Sequence, residues 1–405
     1  MDTLNPRDER DAIEIATAAI ANAAPLEVSG AATKTGLGRP VTAQARVSTG
    51  GMSGVSLYEP SELVLSAGSG TPIREITDLL AQRGQELAFE PMDYCALYGM
   101  ERGSGTIGGL IAVNASGPRR IRAGAARDHL LGFRAVSGRA EAFKSGGRVM
   151  KNVTGYDLSK LVTGSHGTLA ILTEVTIKVL PKAETEETLL ILGLGDDEAI
   201  KVLTEASSLP HEVSSFGHAP AAAVPAMNGG FSGQSVTALR LEGPPVSIAK
   251  RKQDLISHFK ARCKEFGSLN AAESNTFWTA LRDALPLAAL DADIWRISTA
   301  PAEGARVVSL LKSSGVPLKS WFYDWAGGLV WLAAAPAPDC HEKAVRTAVN
   351  ATGGHATLIR APEAVRAALP VFHAQPPALA ALSARVKNSF DPEHILNRGR
   401  MRDDL

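Results

Sequence analysis

The pattern of hydrophobic and polar positions differs between two stretches of the chain, which are separated by the charged run KAETEET at residues 182–188. Before this run, the pattern predicts a helix that begins near Asn5-Pro6 with Asn5 as its cap, and strands in PLEVSG and ELVLSAGSG. It also predicts a helix in TPIREITDLLAQRG capped by Thr71. Three more strands follow, in HLLGFRAVS, RAEAFKSGG and TLAILTEVTIKVLP. These elements predict a first domain of residues 1–182.

After the charged run, predicted strands alternate with predicted helices. The strands are LLILGLG, EVSSFGHAP, SVTALRLEG, DIWRISTAP, LKSWFYDWAGGLVWLAAAP and HATLIRAP, and the helices are DEAIKVLTEASS, SIAKRKQDLISHFKARC and AEGARVVSLLKSS. Gly327 and Gly328 predict a hairpin turn. This order predicts an α+β domain of residues 183–374, an antiparallel sheet with helices on one face. Residues 375–405 predict a helix, a turn at Asp391-Pro392 and a glycine loop.

Composition excludes several classes of function. The chain has 405 residues, so two domains are expected. Its 42 basic residues balance 42 acidic ones, so the net charge gives no overall electrostatic attraction to nucleic acid. No apolar run has the length of a membrane span, and the charged start does not resemble a signal peptide. Three cysteines far apart, without a C-x-x-C pair, predict neither a metal site nor disulfides, and indicate a cytoplasmic location.

The stretch GSGTIG at residues 103–108 matches the G-x-G-x-x-G pattern of Rossmann folds, and Asp128 follows about 20 residues later. Its context does not fit, because FEPMDYCALYGMER before it is typical of a loop and the helix after it has room for only about two turns. We interpret these glycines as a loop that presents backbone N–H groups to an anion.

Two other loops have a similar composition of small and polar residues. They are SGAATKTGLG (29–38), which contains Lys34, and GSHGTLAILTE (164–174). Each of the three loops taken singly is explained by a tight turn between strands. Together, in this order, they favour one long cofactor that carries phosphates.

In this order, the segments resemble the vanillyl-alcohol oxidase or PCMH-type family of FAD-linked oxidases. In detail the chain is similar to the FAD-binding subunits of bacterial glycolate oxidases. The matching segments are SGAATKTGLG, EPSELVLSAGSGTPIREITDLLA, GTIGGLIAVNASG, KNVTGYDLSKLVTGSHGTLAILTEVTIKVLP and FDPEHILNRGRM. The resemblance implies a two-subdomain PCMH-type FAD-binding domain, followed by a cap domain, with residues 375–405 returning to the first domain.

The resemblance also implies which residues contact FAD. They are Gly30, Ala31, Ala32, Thr33, Lys34, Thr35, Pro91, Met92, Ser104, Gly105, Ile107, Gly108, Asn114, Leu172, Thr173 and Asn397. In this interpretation the first loop holds the phosphates and Pro91 and Met92 flank the isoalloxazine. The first loop of the family usually begins with R-G-G-G, whereas this chain has Ser29-Gly30-Ala31-Ala32. Alanine is energetically costly at a positive φ, so we expect the shape of this loop to differ. No histidine lies in or beside this loop in the sequence, so we predict non-covalent FAD.

The implied activity is oxidation of a small 2-hydroxy acid, glycolate or lactate, with electrons passed to partners. Arg296 and Arg360 are candidates for the substrate carboxylate, and His218, His355 and His373 for the base; such single residues are more often structural. The lack of a catalytic cluster suits a subunit that works with a second FAD subunit and an iron–sulfur subunit. The arginine-rich PRRIRAGAARDHLLGFRAVSGR either docks an acidic partner or is a solvated loop.

Two alternatives stay open from the sequence. One is a self-sufficient FAD-dependent oxidoreductase of another alcohol or hydroxy acid, and the other is a non-catalytic scaffold that has lost FAD. The resemblance implies a cytoplasmic protein that reaches the inner face of the membrane only through its partners.

Overall fold

The structure is a computed structural model, which describes residues 1–147, 155–227 and 233–403. The chain forms two compact units. The first comprises Met1–Ser116, Gly124–Lys182 and Ala374–Leu405, and the second comprises Gly117–Ala123 and Ala183–His373. The segment Gly117–Ala123 therefore belongs to the second unit, although the sequence analysis assigned it to the first domain.

The elements follow one another along the chain as strands and short helices. The strands are β1 (Asp2–Leu4), β2 (Leu26–Ser29), β3 (Ala45–Ser48), β4 (Val55–Glu59), β5 (Val64–Gly68), β6 (Gln85–Glu86), β7 (Leu130–Ser137), β8 (Ala142–Gly146), β9 (Ala170–Lys178), β10 (Leu180–Pro181), β11 (Thr185–Leu192), β12 (Ser215–Ala219), β13 (Val236–Gly243), β14 (Phe266–Leu269), β15 (Asp293–Ser298), β16 (Leu318–Asp324), β17 (Leu329–Ala334) and β18 (His355–Arg360). The helices are α1 (Glu9–Ala21), α2 (Ile73–Ala81), α3 (Ile107–Val113), α4 (Arg120–Ala123), α5 (Ala126–His129), α6 (Leu158–Val162), α7 (Asp196–Ser208), α8 (Pro245–Phe259), α9 (Ala271–Arg282), α10 (Leu285–Ala288), α11 (Gly304–Ser313), α12 (Glu342–Thr352), α13 (Glu363–Ala368) and α14 (Pro377–Phe390).

The first unit contains a parallel three-stranded sheet in the order β1-β3-β2 and a five-stranded sheet in the order β4-β5-β9-β7-β8. Helix α1 buries Ala12, Ala16 and Ala19, a spacing that places them on one face of the helix. They pack in a core with β2 and β3 and with Ile395 and Leu396 of the C-terminal segment.

The C-terminal segment extends the small sheet. Leu396 forms a parallel bridge with Leu26 of β2, whose N–H donates to the Ile395 carbonyl at 2.7 Å. The segment is fixed by a buried ion pair in which Lys387 Nζ lies 2.6 Å from Asp391 Oδ2, with side chains only 3% and 0% exposed. Lys387 also donates to the carbonyls of Thr168 and Leu396. These contacts hold the last described residues beside the first loop.

The second unit is built on an eight-stranded antiparallel sheet in the order β14-β11-β13-β12-β16-β17-β15-β18. Alternate residues point to opposite faces of a strand, and one face packs its apolar side chains against helices α7, α8, α11 and α12. The α+β class and the helix-covered face are confirmed. Helix α9, which the sequence analysis did not predict, covers part of the other face, where Trp278 Nε1 donates to Thr188 Oγ1 at 2.8 Å.

Two helix starts differ from those expected. Asp8, and not Asn5, caps α1, because its carboxylate accepts from the N–H of Asp11 at 2.9 Å. Thr71 does not cap α2; its hydroxyl donates instead to the Gly68 carbonyl at 2.7 Å. Both expected caps are polar residues near a true start, and only the folded backbone decides which one reaches a free N–H.

Candidate functional site

The three loops of small residues meet in the first unit. Two adjoining cavities share Val28, Ser29, Gly30, Gly109 and Ala112 in their walls. One cavity runs along the first loop to the C-terminal segment, and the other runs between the loop at 164–168 and the start of β9. The three loops therefore line two neighbouring cavities that share part of their walls.

Glycine is required where these loops touch. A Cβ on Gly30 would lie 2.0 Å from Thr106 Oγ1, and one on Gly108 would lie 2.7 Å from Ser69 Cβ. A Cβ on Gly105 would lie 3.6 Å from Lys34 Nζ, and one on Gly109 would lie 3.2 Å from Thr106 Oγ1 and 3.7 Å from Lys34 Nζ. The ammonium group of Lys34 therefore lies close to the backbone at Gly105 and Gly109.

Lys34 places a positively charged side chain in the wall of the cavity along the first loop. Its half-buried side chain forms one hydrogen bond, to Thr33 Oγ1 at 3.4 Å, and no carboxylate of the described residues lies within 4.0 Å of Nζ. Burial lowers the pKa of Lys34, although nearby Cys95 and Asp93 oppose the shift. An anion bound close to Nζ would relieve this desolvated charge.

The neighbouring acidic group is already engaged. Asp93 accepts hydrogen bonds from the N–H groups of Cys95 at 2.9 Å and Gly103 at 2.7 Å. Burial opposes ionisation of Asp93, but these hydrogen bonds lower its pKa below the usual value. Burial raises the pKa of the Cys95 thiol to about 12, so the thiol is neutral. Neither group neutralises Lys34 by direct contact.

Asn397 and Arg400 of the C-terminal segment clamp the first loop. Asn397 Oδ1 accepts from the N–H of Val28 at 2.8 Å, and its Nδ2 donates to the His166 carbonyl at 2.8 Å. Arg400 donates to the Thr35 carbonyl at 3.0 Å, among other loop carbonyls, and to the carboxylate of Glu27. The sequence analysis missed Arg400, whose only signal is its place three residues after Asn397.

His166 lies in the wall of the same cavity, with a backbone φ of 55°. Burial, with a smaller contribution from Arg400, lowers the pKa of His166 to about 4, so its imidazole is neutral at physiological pH. A histidine thus reaches this space through the fold, although none is near the first loop in the sequence.

The structure brings part of the expected contact set to the cavity walls. These residues are Gly30, Ala31, Ala32, Thr33, Lys34, Thr35, Gly108, Leu172 and Asn397, and Gly105 lies opposite Lys34. The others lie outside those walls: Pro91, Met92, Ser104, Ile107, Asn114 and Thr173.

Several of the residues outside the walls have identifiable structural contacts. Ile107 is fully buried, and its N–H donates to the Thr71 carbonyl at 2.9 Å. Asn114 ends α3 in the left-handed conformation and accepts from the N–H of Arg127. Met92 is 5% exposed, and the Thr173 carbonyl accepts from the Ser69 N–H at 2.9 Å. Their contacts with a cofactor stay predictions.

Ala32 adopts a φ of 55°, a region that favours glycine, whereas Ala31 does not have a positive φ. We expect Ala32→Gly to stabilise the protein by about 1 kcal/mol, because the strain of alanine in this region exceeds the entropy cost of glycine. Thermal unfolding should show a higher midpoint for Ala32→Gly. The matched change Ala31→Gly should lower the midpoint or leave it unchanged, and equal effects of both changes would contradict the assignment of strain to Ala32.

The candidate catalytic residues all lie in the second unit and do not form one group. The Arg360 guanidinium donates to carbonyls at the end of α10 and just after it, including Ala288 at 2.8 Å, which is a structural role. His218 is fully buried, with Nδ1 2.9 Å from Thr237 Oγ1 and Nε2 3.5 Å from Asp196 Oδ1.

The remaining three candidates, Arg296, His355 and His373, lie nearer the surface of the unit. His373 Nδ1 lies 3.2 Å from Arg346 Nη1, and burial, followed by the charge of Arg346, lowers the pKa of His373. Arg296 is half-buried and lies over the Trp325 ring. Within the described residues, no group of three His, Cys, Asp or Glu side chains could hold a metal ion. No helix of the described chain is long and apolar enough to cross a membrane.

A family model and the similar proteins of known sequence agree on the family to which the chain belongs. Residues 3–146 match the model of the FAD binding domain. The chain is 33% identical to glycolate oxidase subunit GlcE of Escherichia coli (strain K12) over 396 residues, which cover 97% of each chain. It is 41% identical over 100 residues to glycolate oxidase subunit GlcD of Bacillus subtilis (strain 168), which covers 25% of this chain and 21% of that protein.

The fold is shared with solved structures of other proteins. The chain aligns with p-cresol methylhydroxylase with substrate bound at a TM-score of 0.71 and 11% identity, covering 98% of this chain and 88% of the other. At this identity the likeness concerns the fold alone, and it confirms the PCMH-type class.

Proposed function

The chain belongs to the GlcE family of glycolate oxidase subunits, and from this premise we propose that it is the FAD-binding subunit of a complex that oxidises glycolate or a related 2-hydroxy acid. The observation that carries the proposal is Lys34, a desolvated cation without a carboxylate partner among the described residues, which lies close to the glycine backbone at Gly105 and Gly109. A diphosphate supplies the anion that this arrangement lacks.

The residues present fit FAD. The first loop and Lys34 would hold the pyrophosphate, and the adenosine end would lie toward Ser165, Gly167, Ala170 and Leu172, which line the adjoining cavity. Asn397 and Arg400 would hold the first loop in its binding conformation by the hydrogen bonds described above. FAD held there would supply a hydride acceptor for the oxidation of a 2-hydroxy acid to the 2-oxo acid.

We propose two partner subunits for the chain, a second FAD subunit and an iron–sulfur subunit. The likeness of part of the chain to a GlcD subunit supports a pair of related FAD subunits. The chain has three cysteines, fewer than the four that an iron–sulfur cluster usually needs, so an iron–sulfur subunit would receive the electrons. Cys95, Cys263 and Cys340 are all buried.

We expect FAD to be held without a covalent bond. The purified chain, loaded with FAD, should show the visible absorption bands of a flavin, and acid precipitation should release all of the colour into the supernatant. His166 provides the control, because it is the histidine in the cavity wall. Colour that stays in the pellet of the wild type and leaves with His166→Gln would show a covalent bond to His166, and a chain that takes up no FAD would favour the scaffold alternative.

Activity distinguishes a subunit from a self-sufficient enzyme. Glycolate oxidation with a dye acceptor should be slow or absent with the isolated FAD-loaded chain and should appear when the co-expressed partner subunits are present. Full activity of the isolated chain would overturn the assignment as a subunit and support a self-sufficient oxidoreductase.

A further inference from the structure

His166 lies in the wall of the same cavity as Lys34, the lysine proposed to hold the pyrophosphate. Its backbone is fixed on both sides, because its N–H donates to the Ala112 carbonyl at 2.8 Å and its carbonyl accepts from Asn397 Nδ2 at 2.8 Å. Arg400 lines the same wall, and its charge acts on the His166 imidazole. The fold therefore places a titratable ring beside the proposed position of the pyrophosphate.

The charges around this cavity disfavour a further cation when no ligand is bound. Among the described residues, the charged side chains that line the cavity are Glu27, Lys34 and Arg400. The Glu27 carboxylate is shared by two arginines, since Arg46 Nη2 and Arg400 Nη2 each lie 2.8 Å from one of its oxygens. Its negative charge is therefore compensated. Burial, followed by the charge of Arg400, lowers the pKa of His166, so the imidazole is neutral without a bound anion.

A second set of charged groups reaches the loop that carries His166, but these groups compensate each other. Lys387 Nζ donates to the Thr168 carbonyl at 2.8 Å and lies 2.6 Å from Asp391 Oδ2, and both side chains are buried. The pair carries no net charge. An anion in the cavity, and not this pair, therefore decides whether the imidazole of His166 is charged.

A diphosphate reverses the balance of charge at the imidazole. It brings two negative charges and only hydrogen-bond acceptors, whereas a neutral imidazole has one acceptor nitrogen and a protonated imidazole has two donors. A negative charge within about 4–6 Å raises the pKa of a basic group by about 1–3. The protonated ring can also donate a charge-assisted hydrogen bond to a phosphate oxygen.

We propose that His166 is a further cofactor-binding residue, which takes up one proton from solvent when a diphosphate binds in the cavity that it shares with Lys34. The identity of the diphosphate as FAD rests on the proposed function. Because binding raises the pKa of His166, FAD affinity increases as the pH falls. The increase is at most about tenfold per pH unit, between the pKa of the free chain and that of the complex.

The experiment measures FAD affinity against pH. The full-length, FAD-free chain is titrated with FAD at pH values between about 5 and 8, the range in which histidine changes charge, and the quenching of flavin fluorescence is followed. From the upper to the lower end of this range we expect the dissociation constant to fall about 10- to 100-fold in the wild type and to change less than about twofold in His166→Gln. Calorimetry near the middle of the range, in buffers with different enthalpies of ionisation, should show net proton uptake in the wild type and none in the variant.

His394 provides the matched control. It lies in the same unit and has a φ of 52°, close to the 55° of His166, so glutamine meets the same backbone conformation at both positions. Its Nε2 lies 2.8 Å from Asn388 Oδ1, and it is not part of the cavity wall. His394→Gln should keep the pH dependence of the wild type. Lys34→Met should bind FAD more weakly at every pH but keep the dependence on His166.

The FAD-free chain gives a second readout. Since the pKa of His166 is lowered from 6.5 to about 4, the unfolded chain binds more protons in this range, and the wild type loses stability as the pH falls through it. His166→Gln should lose less stability over the same range. If His166→Gln does not fold, His166→Asn replaces it, because asparagine tolerates the left-handed conformation.

Three outcomes would overturn the proposal. FAD affinity that is independent of pH, or that depends on pH equally in the wild type and His166→Gln, would remove the role of His166 and leave the proposed function intact. A pH dependence that persists in His166→Gln and vanishes in Lys34→Met would assign the proton to Lys34. A chain that takes up no FAD at any pH would contradict the proposed function together with this role.

Discussion

Lys34→Met is expected to weaken FAD binding about 10- to 100-fold, since it removes a charge-assisted hydrogen bond worth about 1.5–3 kcal/mol. The ammonium group is desolvated, forms one 3.4 Å hydrogen bond to Thr33, and lies close to the backbone at Gly105 and Gly109. Titration of the FAD-free chain with FAD, followed by quenching of flavin fluorescence, measures the effect.

The effect of Lys34→Met on the free energy of unfolding should depend on whether FAD is bound. Without FAD, burial disfavours the charged form of Lys34, so Lys34→Met should leave the free energy of unfolding unchanged or raise it. With FAD, the variant should unfold at a lower temperature than the wild type, because less binding energy stabilises the folded state. A lysine that serves only structure would lose stability in both conditions.

The control for Lys34 is an exposed lysine of the same unit. Lys160 forms a surface ion pair with Asp157 at 3.2 Å, and its side chain is 55% exposed. Lys160→Met should leave FAD affinity within about twofold, because exposed ion pairs contribute little. If Lys160→Met weakened FAD binding as much as Lys34→Met, the effect would come from net charge and not from the site.

Asp391→Asn is expected to lower the free energy of unfolding of the first unit by about 3–5 kcal/mol, since it leaves the Lys387 charge buried without its counter-ion. Burial already lowers the pKa of Lys387, and the Asp391 carboxylate opposes that shift. Asp391 also accepts from the N–H groups of Ile395 and Leu396, which set the path of the segment to Asn397 and Arg400. Urea unfolding measures the stability, and FAD affinity should fall with it.

The chain offers a matched pair for comparison. Lys250 and Asp254 have the same spacing and the same 2.6 Å separation, but their side chains are 74% and 35% exposed. Asp254→Asn should cost less than about 1 kcal/mol. The double change Lys387→Met with Asp391→Asn should cost less than the sum of the single changes, because it leaves no buried unpaired charge. Similar costs for Asp391→Asn and Asp254→Asn would show that burial does not set the strength of the inner pair.

Local patterns predicted most of the elements but not all of them. The amphipathic spacing of α2 and the β-branched alternation of β9 are properties of neighbouring residues, and both elements were found. Helix α9 was missed although its sequence carries both signals: Phe277, Trp278 and Leu281 recur at helical spacing on its buried face, and Asn270 with Glu273 forms a capping box. Only the tertiary structure decided its partner, because Ser274 and Trp278 both donate to Thr188 of β11.

The sequence by itself determined which chemistry to expect: three loops of small residues with one lysine, in an order typical of FAD-linked oxidases. Only the tertiary structure decided which groups meet. Asn397 bonds to Val28 across 369 residues, His166 reaches the cavity wall, and Arg120 joins Arg296 on Trp325 in the other unit. The reason is physical: periodicity and turn propensity act between neighbours in the chain, whereas the partner of a buried charge or ring is set by packing between distant segments.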